Sequence, residues 1–278
     1  MKTKLILLFV STLVFACGCL AEKKVKGSGV ELMQEIEISD FDKIQYSGNI
    51  EGSNFIKRYG ASGPVFEYTC KPGNPSVEVI IDRNLYPYLH IETTEGKLSV
   101  KVRNDINIAP TIFIVRASSE HLTELQASGS MDFVLKSPIS GELLKVKASG
   151  ATDISMKQPV RYTKVALSAS GASDVSVKDL ECREIECSSS GASDITLAGK
   201  AVNGILKASG SGDISASKFQ VENLQCTASG SGDISAYATR EIDAKASGAG
   251  DISYKGQPSS VKRHKSGAGD ISGYKGNK

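Results

Sequence analysis

The chain has 278 residues, 40% of them hydrophobic, and its 33 lysines and arginines against 31 aspartates and glutamates leave a net charge of +2. With charges of both signs mixed throughout and no tryptophan, a nucleic-acid surface built as a basic stripe with aromatic platforms is excluded. Past the N-terminal segment no run of eighteen apolar residues occurs, which excludes a further membrane-spanning helix.

Lys2 and Lys4 precede an apolar run from Leu5 to Phe15, which leads into Ala16-Cys17-Gly18-Cys19. The run is too short to span a bilayer and ends in small residues, the pattern of an export signal over residues 1–16. A cysteine at the cleavage point makes it resemble a bacterial lipoprotein signal. Cys17 is the expected lipid attachment, because the apolar run meets it directly and Val14 lies three residues before; Cys19 is the alternative register. The mature chain is then expected at the outer membrane or cell surface of a Gram-negative-type bacterium, touching membrane only through its lipid. Residues 17–35 read as a polar tether, carrying Ala21-Glu22-Lys23-Lys24-Val25-Lys26-Gly27.

Residues 36–125 read as irregular strands. Ile44 and Tyr46 precede Ser47-Gly48-Asn49-Ile50, and further apolar runs at 65–69, 77–81, 89–92, 98–102 and 112–116 are separated by turns such as Lys71-Pro72-Gly73-Asn74-Pro75 and Glu95-Gly96. These are strand and turn signals without helical period.

From residue 126 to the end one phrase recurs: S-G, two small residues, an aspartate, an apolar residue, then usually Ser or Thr. Its glycines are Gly129, Gly150, Gly171, Gly191, Gly210, Gly230, Gly248 and Gly267, at spacings of 21, 21, 20, 19, 20, 18 and 19. Its aspartates are Asp132, Asp153, Asp174, Asp194, Asp213, Asp233, Asp251 and Asp270. Apolar columns alternate on both sides. Before the turn run Leu125, Val146, Leu167, Cys187, Leu206, Cys226 and Ala244; after the aspartate run Phe133, Ile154, Val175, Ile195, Ile214, Ile234, Ile252 and Ile271. Alternation at a period near twenty means one coil per repeat, each burying its inner face only against its neighbours. The fold class expected is all-β, a parallel β-solenoid, with the eight coils stacking into a rod of roughly 40 Å.

The glycine lets each turn reverse, and the aspartate and serine are expected to cap turn amides. A file of carboxylates could also bind cations, but calcium needs six to eight converging oxygens and one carboxylate per coil supplies too few. Cys187 and Cys226 share one column two coils apart, roughly 10 Å, too far for a disulfide. His90, His121 and His264 have no ligand spacing. No metal site, cofactor or catalytic residue is expected. The basic end, with Arg263 and Lys265 at inward positions, reads as a cap on the last coil.

The opening Asp40-Phe41-Asp42-Lys43-Ile44-Gln45-Tyr46-Ser47-Gly48, the segment Glu95-Gly96-Lys97-Leu98-Ser99-Val100 and the S-G-x-x-D-I-S series together resemble the auto-transporter adhesin head, or GIN, domain of bacterial envelope proteins, over roughly residues 36–272. The resemblance implies a β-superhelix akin to pectin-lyase-like folds, no catalytic set and a role in adhesion. The chain ends at Tyr274-Lys275-Gly276-Asn277-Lys278 without a membrane barrel, so anchoring is expected from the lipidated cysteine. The expected function is a non-catalytic adhesin contacting a host or matrix glycan or protein, alone or as a homo-oligomer. A periplasmic binding partner of another envelope protein is the alternative. A polysaccharide lyase or glycosidase fits less well. A glycosidase needs two differing carboxylates, and Arg161, Arg183 and Arg240 fall between the turns with no partner cluster.

Overall fold

A computed structural model describes residues 23–51, 55 and 63–274. The signal segment and both candidate lipid cysteines lie outside the described residues. Within them the chain begins with β1 (Lys23–Lys26) and β2 (Glu31–Ile36), followed by β3 (Lys43–Gly48), β4 (Val65–Cys70) and β5 (Ser76–Asp82). A single 3-10 turn at Tyr86–Tyr88 leads to β6 (Leu89–Thr94), β7 (Lys97–Val102), β8 (Ile106–Ala109) and β9 (Phe113–Ser119). The stretch expected as a tether is therefore ordered from Lys23 onward: β1 runs parallel to β8, and β2 antiparallel to β5. Backbone bonds to partners far along the chain hold these strands, which is why a polar sequence with exposed Val30 and Met33 gives no sign of them.

The laps of the solenoid are not stacked in chain order. β3 and β4 form one lap; β7 and β9 form the next and lie parallel against one side of it. The chain then crosses to the other side, where β10 (Glu124–Gly129) and β11 (Asp132–Leu135) pair parallel with β3 and β4. Antiparallel strands cover the N-terminal end. β6 folds onto β7 through Glu95-Gly96, both at positive φ (52° and 72°), while β5 lies on β9 and β2 on β5. The region read as irregular coils thus combines true laps with an antiparallel cap that covers their backbone edge.

Beyond β11 the stack is regular. It comprises β12 (Ile139–Gly150), β13 (Asp153–Met156), β14 (Val160–Ala169), β15 (Asp174–Gly191), β16 (Asp194–Gly210), β17 (Ile214–Ala228), β18 (Ile234–Ala246), β19 (Ile252–Lys255), β20 (Ser260–Lys265) and β21 (Ile271–Gly273), all paired in parallel. Each coil has three walls. Two are those expected on either side of the S-G turn. A third short wall carries Val160, Leu180, Gly199 and Phe219 in one paired column and Tyr162, Cys182, Ala201 and Val221 in the next.

The expected apolar columns are buried in one continuous core, whereas Arg263 and Lys265, expected at inward positions, are exposed. Aromatic rings fill its broad N-terminal end, where Phe66 stacks on Phe133 at 5.8 Å and Tyr68 on Phe133 at 6.4 Å. Further along, the walls compensate one another: where the post-turn column shrinks to Ala216, Phe219 from the third wall fills the space, both fully buried. Cys187, Leu206 and Cys226 are consecutive partners in one column, and both cysteines are free thiols. At the C-terminal end Arg263 lies over the Tyr254 ring, 5.4 Å from its centroid, and closes the core with a charged lid.

Candidate functional site

Each repeated turn is joined to the next. In the later coils the backbone N–H of one aspartate donates to Oδ1 of the aspartate one coil before: Asp213 to Asp194 at 2.8 Å, Asp233 to Asp213 at 2.7 Å, Asp251 to Asp233 at 2.7 Å and Asp270 to Asp251 at 2.6 Å. Asp194 reaches Asp174 at 3.3 Å. The carboxylates therefore cap amides of the neighbouring coil and form a ladder along one edge of the rod. The serines of the phrase run beside it: Ser170 Oγ donates to the Ala148 carbonyl at 3.4 Å and Ser209 Oγ to that of Ser189 at 3.3 Å.

Glycine is needed here for space as well as conformation. Gly210 has φ +99°, and a Cβ on it would sit 2.5 Å from the Gly191 carbonyl oxygen. A second small column precedes the aspartates. Thr152, Ser173 and Ser193 are fully buried there, and from Gly212 onward the position is glycine, where at Gly232 a Cβ would lie 2.1 Å from the Gly212 carbonyl oxygen. The change from A-S to S-G and A-G within the phrase records this tightening.

The ladder is not electrostatically uniform. Burial, and then the charge of Asp153, raise the Asp132 carboxyl above its usual value, and burial with Asp174 does the same to Asp153. Asp270 is held low by its hydrogen bond from Lys265. Among the described residues no three His, Cys, Asp or Glu side chains form a group able to hold a metal ion.

A groove of about 610 Å³ runs along the rod where the third wall bends into the pre-turn wall. Successive coils contribute the same positions to it. One outward row reads Lys164, Glu184, Asn203, Asn223, Glu241 and Ser260; the next, two residues on, includes Ala166, Glu186, Ile205, Gln225, Asp243 and Lys262. Between the rows lie the backbones of buried Val165, Ile185, Gly204, Leu224 and Ile242. The amides are held in line: Arg240 Nε donates to Asn223 Oδ1 at 2.8 Å, and Asn223 Nδ2 donates to Asn203 Oδ1 at 2.8 Å. Sequence reasoning found neither the groove nor its rows, because the third wall that shapes it breaks the two-residue alternation. The pairing register slips there, between Val177 and Leu180 and between Thr196 and Ala198. Of the arginines near that wall, Arg161 pairs with Asp179 at 2.8 Å and Arg240 hydrogen-bonds Asn223.

No curated protein matches the chain. Among solved structures, a "putative adhesin" from Parabacteroides distasonis superposes with a TM-score of 0.81 at 29% identity, covering 91% of this chain and 100% of its own. A "putative adhesin" from Parabacteroides merdae gives 0.78 at 30% identity, covering 90% and 99%. A "putative lipid binding protein" from P. distasonis gives 0.80 at 27% identity, covering 90% and 100%. The family model described as "Putative auto-transporter adhesin, head GIN domain" matches twice, over residues 66–157 and 140–258, an overlapping pair that spans most of the regular solenoid and much of its N-terminal end. The chain belongs to the auto-transporter adhesin head GIN domain family.

Proposed function

We propose that this protein is a non-catalytic adhesin of the cell envelope, tethered by a lipid on Cys17, or on Cys19 in the alternative register, and working through contacts along its rod. The observation that carries this reading is the ladder. Its carboxylates are spent on the amides of neighbouring coils, and the walls repeat the same outward positions coil after coil, an arrangement suited to extended contact. Catalysis needs differing groups converging on one reacting atom. Family membership and the descriptions of two solved relatives point the same way.

Two measurements test it. Labelling with a fatty acid should fail in Cys17→Ala, and label surviving in the Cys17→Ala/Cys19→Ala double variant would remove the lipid tether from the proposal. Protease treatment of intact cells should degrade the protein; full protection would favour a periplasmic partner role instead.

A further inference from the structure

The geometry points to the groove as a binding site for an extended, uncharged, β-1,4-linked glycan lying parallel to the rod axis, one sugar to each coil. The inference rests on the adhesin reading and gives it a ligand class.

Period constrains the ligand first. Groove positions repeat at the coil rise, about 4.8 Å. An extended peptide presents the same side every second residue, about 6.8 Å, and falls out of step within two coils. A β-1,4-linked pyranose chain advances by close to one coil rise per sugar but turns each ring over relative to the last, so the same edge recurs every second sugar, close to two coil rises, and stays in step with the groove.

The lining chemistry constrains it further. The outer rows hold planar amides and carboxylates, which match the hydroxyls of sugar edges; an acyl chain offers them nothing. The Arg240–Asn223–Asn203 relay fixes the amide planes before any ligand arrives, with Asn203 Nδ2 as the terminal donor of the relay. Farther along, Asp243 Oδ1 accepts no hydrogen bond, and His264 Nε2 stands 3.6 Å from it.

Charge narrows the class again. The groove lining carries Glu184, Glu186, Glu241 and Asp243 against Lys164 and Lys262, four acids to two bases. Glu184 pairs with Lys164 at 3.0 Å and Glu186 with Lys207 at 2.8 Å, and Lys245 and Arg240 stand beside Asp243 and Asn223. The groove is therefore close to neutral: it gives uronic or sulfated polysaccharides and phosphate-bearing headgroups no net attraction and admits neutral chains. Ala166 and Ile205 supply small apolar steps on the floor against which the faces of the sugar rings can rest.

The test is calorimetric titration of the lipid-free protein with glucose and N-acetylglucosamine oligomers, both β-1,4-linked, from dimer to hexamer, with oligogalacturonate as the acidic control. Kd should fall with each added sugar as further coils are engaged, and oligogalacturonate should give no binding. Asn203→Ala should weaken hexamer binding by roughly tenfold. Ala166→Arg, which obstructs the groove without removing a hydrogen bond, should weaken it at least as much, and both variants should keep the wild-type unfolding midpoint. No heat with either neutral series, affinity independent of length, or wild-type affinity in correctly folded Ala166→Arg would each overturn the inference. Adherence to surfaces is measured in parallel. Ala166→Arg that adheres normally sinks the groove and leaves the adhesin reading intact, whereas oligomer binding without adherence supports the groove and sinks the adhesin reading.

Discussion

The S-G turn concentrates several constraints in a few atoms. Gly210→Ala would force a side chain into a left-handed backbone region and against the Gly191 carbonyl; a loss of about 1–3 kcal/mol is expected, read from denaturant unfolding. The aspartates separate capping from charge. Asp213→Ala orphans the Asp233 amide and should cost about 1 kcal/mol, while Asp213→Asn keeps an acceptor and should cost clearly less. Asp132 gives the pH prediction. Its carboxyl is raised in the folded state, first by burial and then by Asp153, so the folded chain holds that proton more tightly than the unfolded one. Its contribution is fully present below the ordinary value of 3.8 and is lost as pH rises through the folded value. Asp132→Asn should therefore raise the melting temperature at about pH 7 and shrink the gain the wild type shows on mild acidification. An unchanged melting curve at both pH values would contradict this. Asp270 runs the other way: lowered by Lys265, its contribution is present above the ordinary carboxylate value and fades as pH falls.

Strands and walls differ in how readily the sequence reveals them. The columns flanking each turn repeat every coil with clean alternation, so Leu125, Ile154 and Ile195 were legible as core and are buried. The third wall was not. Its residues, Leu180, Gly199 and Phe219, share a position but no chemical type, and slips in register move them relative to the turn. The groove went unread for the same reason. β2 was hidden because it is an edge strand held by backbone pairing with β5, and half of its own residues face solvent. This gives a discriminating test of the three-walled coil. Ile195→Ala, from a wall the sequence shows, should cost about 2–5 kcal/mol, and Phe219→Ala, from the wall it conceals, about 3–5. Exposed Lys178→Ala should shift stability by less than about 0.5 kcal/mol. A small effect at Phe219 would mean the third wall does not belong to the core.

For the whole rod, the pairing defines how coils can be removed. Lys207 pairs with Thr227, so an excision in register spans residues 207–226 and joins Leu206 to Thr227 as consecutive residues of one wall. The shortened protein should fold, with a stability reduced by one inter-coil interface, and should adhere more weakly without losing adherence outright. Abrupt loss would indicate one localised contact point in place of a distributed surface.

The out-of-order laps give the molecule a direction of assembly. The lap made by β3 and β4 is flanked by strands that both come later in the chain, β7 and β9 on one side and β10 and β11 on the other. With the polypeptide made from its N-terminus, the first lap gains one neighbour when β9 ends at Ser119 and the other only when β11 ends at Leu135. Only then does a closed seed exist, carrying one growing end. Every later repeat can dock as it arrives, one coil at a time, much as subunits add to a filament. Formation is expected to be slow once and quick thereafter, and the number of repeats can change over generations at the growing end without disturbing the seed that starts it.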